Sequence, residues 1–212
     1  MGSPAPVLAQ DDLLYHELTR HGWATFFSEP MTDEQFLALC EEHPEFPIET
    51  TAEGEIIIMP PAGPVSAYQN NGLSAQVWNW AERSKRGRAF DSSGIFVLPS
   101  GARRSPDSSF ISHERLDALG AAKRRTLWHI CPDFVVELRS KTDRRRRLEM
   151  KMEEYMANGA KLGWLIDPAD RTVTVYRPRR KPEMLLAPKV MEGEGPVAGL
   201  KVKMRPLWWD AS

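Results

Sequence analysis

The sequence predicts an α/β protein, and three observations carry that expectation. Strand text, helical text and strand text follow one another over Cys131–Ile166; short strands separated by turn residues fill 46–59 and 89–111; and a long stretch of helical period divides those two blocks. At 212 residues, 42% hydrophobic and 27% charged, the chain is long and apolar enough to bury a substantial core.

Residues 1–30 read as an N-terminal arm anchored through Leu13, Leu14, Trp23, Phe26 and Phe27, and 31–212 as one domain, because no long linker interrupts them. Thr32-Asp33-Glu34-Gln35 has the form of a capping box, in which the Thr and Gln side chains each satisfy an orphan N–H. A short helix is therefore expected over 33–42, stopped by Pro44. Phe46–Thr51 and Glu55–Met59, the second with three successive isoleucines, predict a hairpin about Ala52-Glu53-Gly54. Leu73, Val77, Trp80 and Ala81 recur at helical spacing and place a helix over Ser66–Arg83, weakened at Gly72. Strands are expected at Ala89–Ser92, Ile95–Leu98 and Arg104–Ile111, then a surface helix at His113–Leu119 and a basic connector at Ala121–Thr126. After Gly159, Leu162–Ile166 and Thr172–Arg177 form a hairpin, followed by edge-like strands at Glu183–Ala187 and Leu200–Met204. Trp78, Trp80, Trp164, Trp208 and Trp209 read as core or dimer contacts.

The stretch from Cys131 to Asn158 organises the rest. Phe134, Val135, Val136 and Leu138 make a short strand behind Pro132, yet Glu137 stands inside it. Burying an unpaired carboxylate costs on the order of several kcal/mol, so Glu137 needs a cation, a donor cluster or a metal. The helix that follows, capped by Thr142 or Asp143 and stopped by Asn158-Gly159, carries Leu148, Met152 and Tyr155 as its apolar stripe, and Lys151 falls on the same stripe. A strand carboxylate and a helix ammonium thus both point towards buried ground.

The net charge of −1 conceals a polarity: residues 1–62 hold twelve Asp/Glu and one basic residue, Arg20, leaving 17 acids against 27 Lys/Arg in the remainder. A basic remainder suits a nucleic-acid partner; solvated faces that happen to segregate are the other reading. Arg144–Arg147 opens a helix, where the macrodipole disfavours cations, and either DNA phosphate or a solvated face accounts for it. Cys40 and Cys131 sit among apolar neighbours, no Cys/His cluster has zinc spacing, and no uncharged apolar run nears the roughly 18 residues of a membrane span. A cytoplasmic protein without membrane contact is expected.

Metal-assisted phosphodiester hydrolysis needs oxygen ligands that leave coordination positions for water and a phosphate oxygen. Asp107 and Glu137, each placed on a strand expected to be central, are the candidate cradle for Mg2+ or Mn2+, and Lys151 the group that orients a nucleophile or stabilises charge. Glu49, in the first hairpin strand, is a further candidate acid. Arg139 could hold phosphate but not act as a base, since a guanidinium keeps its proton. Each has a plainer reading: Asp107 as a turn residue, Glu137 salt-bridged to Arg139 or Arg104, Lys151 snorkelling to water, Glu49 as an exposed carboxylate.

Pro106-Asp107, PDFVVELRS (Pro132–Ser140), the helix with Lys151 and Tyr155, NGAKLGWLIDP (Asn158–Pro168) and VYRP (Val175–Pro178) together resemble a bacterial family of restriction-endonuclease-like proteins with a PD-(D/E)XK nuclease core. MTDEQFLALC, IETTAEGEIIIMPP and FDSSGIFVLPSGARRSPD resemble its N-terminal half, so the likeness spans nearly everything after about residue 30. The resemblance implies a mixed β-sheet flanked by helices and a metal-dependent endonuclease acting on DNA. It also implies a divalent ion on Asp107 and Glu137 with the Leu138 carbonyl, and a homodimer. Arg139, Arg104, Arg144 and Arg145 are the candidate phosphate contacts. The chain departs from the superfamily at Arg139, where a lysine is expected, and the family likeness moves that lysine to Lys151. A nuclease-like module that binds DNA or protein without turnover is the alternative.

Overall fold

In the computed structural model, which describes residues 24–120 and 127–210, the chain separates into two compact units: residues up to Ala62 with Ser100–Arg104, and Gly63–Pro99 with the residues from Ser105 onwards. Leu13, Leu14, Trp23 and the expected connector 121–126 lie outside the described residues.

The first unit contains β1 (Ala24–Phe27), α1 (Asp33–Glu42), β2 (Ile48–Thr50), β3 (Glu55–Ile58) and β6 (Arg103–Arg104). The capping box of α1 forms as expected: Thr32 Oγ1 accepts from the Gln35 N–H, and Gln35 Oε1 accepts from the Thr32 N–H at 2.9 Å. Strand β3 lies between β1 and β2, antiparallel to both, and all three of its isoleucines are buried, as are Ile48, Phe36 and Leu39. The arm's end is thus a regular strand, with Phe27 at its tip 82% exposed instead of anchored.

The second unit carries α2 (Pro64–Ser84), β4 (Gly87–Asp91), β5 (Phe96–Val97), β7 (Ser108–Ser112), α3 (His113–Leu119), β8 (Trp128–His129), β9 (Phe134–Leu138), α4 (Arg145–Ala157), β10 (Leu162–Asp167), β11 (Thr172–Tyr176), β12 (Glu183–Leu186), β13 (Val190–Glu192) and β14 (Lys201–Lys203). Its main sheet runs β12-β11-β10-β9-β7-β4. Within that sheet, among the described residues, only β9 and β10 pair in parallel, with α4 as their crossover, so the sheet is mixed. Leu73, Val77 and Trp80 of α2 join Phe110, Phe134, Val136, Leu138 and Trp164 in the core. Helix α4 ends at Asn158, with Gly159 at φ +101° taking the left-handed turn. It comes so close to β10 that a Cβ at Gly163 would collide with Met152 Cε. No helix among the described residues is long and apolar enough to cross a membrane.

Three expectations are corrected. The strand expected over Arg104–Ile111 is broken between β6 and β7, because Pro106 has no N–H for a ladder and Ser105 turns its hydroxyl to the Ser92 and Gly94 carbonyls. Asp107 therefore precedes a strand instead of lying within one. The N-cap of α4 is Arg144, since the Asp143 carboxylate accepts from the Ser140 N–H at 2.7 Å and Thr142 pairs with the Ser140 hydroxyl. The β13/β14 pair includes a strand, β13, that the thin pattern after Pro178 does not announce. Trp80 and Trp164 are core, whereas Trp78 and Trp209 are about half exposed.

Candidate active site

Glu137 is the one charged side chain within β9, a strand buried at all five residues. Its Oε1 is 2.9 Å from Lys151 Nζ and accepts from the Tyr155 hydroxyl at 3.0 Å. Both partners come from α4, because i and i+4 on a helix lie one above the other. The Lys151 ammonium also sits over the Tyr155 ring, 5.9 Å from its centre. Both ends of the Glu137–Lys151 pair are nearly excluded from water, the carboxylate side chain at 5% and the lysine at 11% exposure.

Asp107 enters from the break before β7. The Arg139 N–H bonds to Ile166 on the β10 side, so the preceding N–H, that of Leu138, turns to the β7 side. There the ladder would require residue 106, and the Asp107 carboxylate takes its place: Oδ2 accepts the Leu138 N–H at 2.7 Å. Helix α2 supplies the remaining contacts, Asn70 Nδ2 donating to Asp107 Oδ1 at 3.1 Å and the Ser74 hydroxyl donating to the Asp107 carbonyl at 3.3 Å. Burial pushes the Asp107 carboxyl up to about 6; the Leu138 N–H, the Lys151 charge and the Asn70 amide pull the other way, and the Asp143 charge adds to the rise.

The structure therefore brings Asp107, Glu137, Leu138 and Lys151 together. Glu137 pairs with Lys151, and the alternative bridge to Arg139 is not made: Arg139 donates to Asp167 Oδ2 at 2.7 Å and to the Asp143 carbonyl at 3.2 Å. Arg145 joins that network, with Nε 3.0 Å from Glu149 and its guanidinium 3.8 Å from Asp170 and 4.0 Å from Asp167. Arg144 is exposed at the helix start. Glu49 and Arg104 belong to the first unit, both buried and 3.2 Å apart, so Glu49 is not the exposed hairpin carboxylate of its plainer reading. Among the described residues no three His, Cys, Asp or Glu side chains cluster as a metal site.

Three contributors escape a reading of the sequence for acids and lysines. Tyr155 is legible only as part of an apolar stripe, although its hydroxyl reaches Glu137. Asn70 and Ser74 had a weak signal, two polar residues four apart on α2 flanking the apolar Leu73.

The model of a family described as "Uma2: Putative restriction endonuclease" matches residues 33–205 of this chain. The crystal structure of a putative nuclease belonging to DUF820 from Anabaena variabilis superposes with a TM-score of 0.70 at 23% identity, covering 84% of this chain and 98% of that one. The fold is thus restriction-endonuclease-like, a mixed sheet flanked by helices. No curated protein matches.

Proposed function

This chain belongs to the Uma2 family, and from that premise we propose that it is a metal-dependent endonuclease hydrolysing phosphodiester bonds of DNA. One observation carries the reading: Lys151 bonds Glu137 at 2.9 Å while the next strand residue, Leu138, gives its N–H to Asp107 at 2.7 Å, so groups distant in sequence meet around one end of β9.

In this proposal Asp107, Glu137 and the Leu138 carbonyl would hold Mg2+ or Mn2+. Supporting the fit, the donors are all oxygens, two of them carboxylate, and fewer than an octahedral ion needs, which leaves positions for water and phosphate. A strand residue points its C=O to the same side as its N–H, and the Leu138 N–H faces Asp107. A carboxyl raised by burial is also the charge a cation would relieve. When bound, such an ion supplies an acidified water and neutralises charge on the phosphate.

The protein's own groups do the rest. Lys151 balances Glu137 and stands ready to stabilise negative charge on the reacting phosphate. Tyr155 orients Glu137, and the Leu138 N–H and Asn70 hold the two oxygens of Asp107. Arg139, just after β9, and Arg144 and Arg145, at the start of α4, would take neighbouring phosphates. The proposal includes a homodimer, since duplex cleavage requires two hydrolyses, and a cytoplasmic setting, in keeping with two free cysteines.

Nicking of supercoiled plasmid with Mg2+ or Mn2+ tests it: Asp107→Ala and Glu137→Ala are each expected to lose roughly 100-fold or more of the wild-type rate. Equal cleavage by all three proteins refutes the site. The second reading is a module that binds DNA without cutting it. It predicts no nicking and the same salt dependence of DNA binding with and without metal.

A further inference from the structure

Asn70 makes one bond that the site uses and lacks another that it needs. Its Nδ2 donates to Asp107 Oδ1 at 3.1 Å, whereas its Oδ1, shut away from solvent, has no hydrogen-bond partner. Folded proteins leave few buried acceptors unmatched, and one that is left beside a reactive group calls for a donor that arrives with a ligand. The amide is planar and its N–H and C=O diverge. An Asn70 that grips Asp107 through Nδ2 therefore cannot turn its oxygen onto the same carboxylate. Helix α2 holds this arrangement at two levels, for Ser74, one turn on, donates to the Asp107 main-chain carbonyl at 3.3 Å.

Resting on the metal-dependent reading above, we propose that Asn70 is a positioning residue that accepts, at Oδ1, a hydrogen bond from a water carried by the divalent ion on Asp107. Water bound to a cation turns its lone pairs to the metal and can only donate, which matches an acceptor without a donor. Ions of the Mg2+ type keep several waters in protein sites, and only two carboxylates are offered here. Through its two ends Asn70 then fixes both the ligand and the hydration of the ion, the way outer partners orient metal sites generally.

The test combines Mn2+ titration calorimetry with a crystal of the whole chain soaked in Mn2+. Asn70→Leu, which removes both ends of the amide, is expected to bind Mn2+ roughly 10–100-fold more weakly than wild type. The wild-type crystal is expected to show a water bonded to both the ion and Asn70 Oδ1. If Asn70→Leu does not give the wild-type circular dichroism and melting curve, Asn70→Ala replaces it with the same expectation. Wild-type affinity in the variant, direct ligation of the ion by Asn70, or an ion with no bridging water overturns the assignment while leaving the nuclease reading standing. A wild-type protein that binds no Mn2+ overturns both.

Discussion

At Asp107 burial and charge oppose one another, and the balance is measurable. The folded carboxyl is raised from its ordinary 3.8 to about 6, so between those values the native state holds more proton than the unfolded chain. Stability contributed by this group is therefore greatest at low pH, falls as pH rises from about 4 to about 6, and stays low above that window. Asp107→Asn is expected to abolish that slope, worth on the order of 2–3 kcal/mol across the window, read by urea unfolding across pH. Parallel pH profiles for variant and wild type would contradict the assignment. At this scale the sequence exposed Asp107, Glu137 and Lys151, because a charge inside an apolar run or on an apolar stripe stands out. It hid Asn70 and the Tyr155 hydroxyl, which look like ordinary helix residues until something packs against them.

Helix α4 is built against its own electrostatics. It starts at Arg144 with no side-chain cap, and Arg145, Arg146 and Arg147 fill its first turn, where the macrodipole repels cations. Placing a hydroxyl cap there, Arg144→Ser, is expected to raise thermal stability by about 1 kcal/mol. In the proposed function the same change weakens DNA binding and lowers the slope of log K against log salt by about 1, measured by fluorescence anisotropy. Stability gained with no change in that slope would remove Arg144 from the DNA contacts. The contrast with α1 explains which caps were legible: the Thr32/Gln35 box is a local pattern with both partners within four residues. The cap of α4 depended on Asp143, whose carboxylate instead closes the turn at Ser140. Likewise a continuous strand through Pro106 looked plausible until the Ser105 hydroxyl turned towards residues 92 and 94.

For the whole molecule, the change of charge at residue 62 falls on the border between the two compact units. The sequence carried that border as a shift in composition and offered no linker to mark it. The basic balance after residue 62 gives a prediction that needs no catalysis: if Arg139, Arg144 and Arg145 all meet phosphate, duplex affinity falls with salt at a slope near −3, about 0.9 per contact. A slope near zero would leave the charge segregation as mere surface. The sequence by itself determined the periods of strand and helix, the α1 cap, the stop at Asn158-Gly159, the acids and lysine of the candidate site, and membership of a family through motifs spread along the chain. The tertiary structure alone decided the partners: Lys151 for Glu137 instead of Arg139, the Leu138 N–H and Asn70 for Asp107, Asp167 for Arg139. The reason is range. A cap or a period is written within a few residues, whereas these bonds join groups up to 37 positions apart, and which donor meets which acceptor is set only when the sheet and its two flanking helices pack.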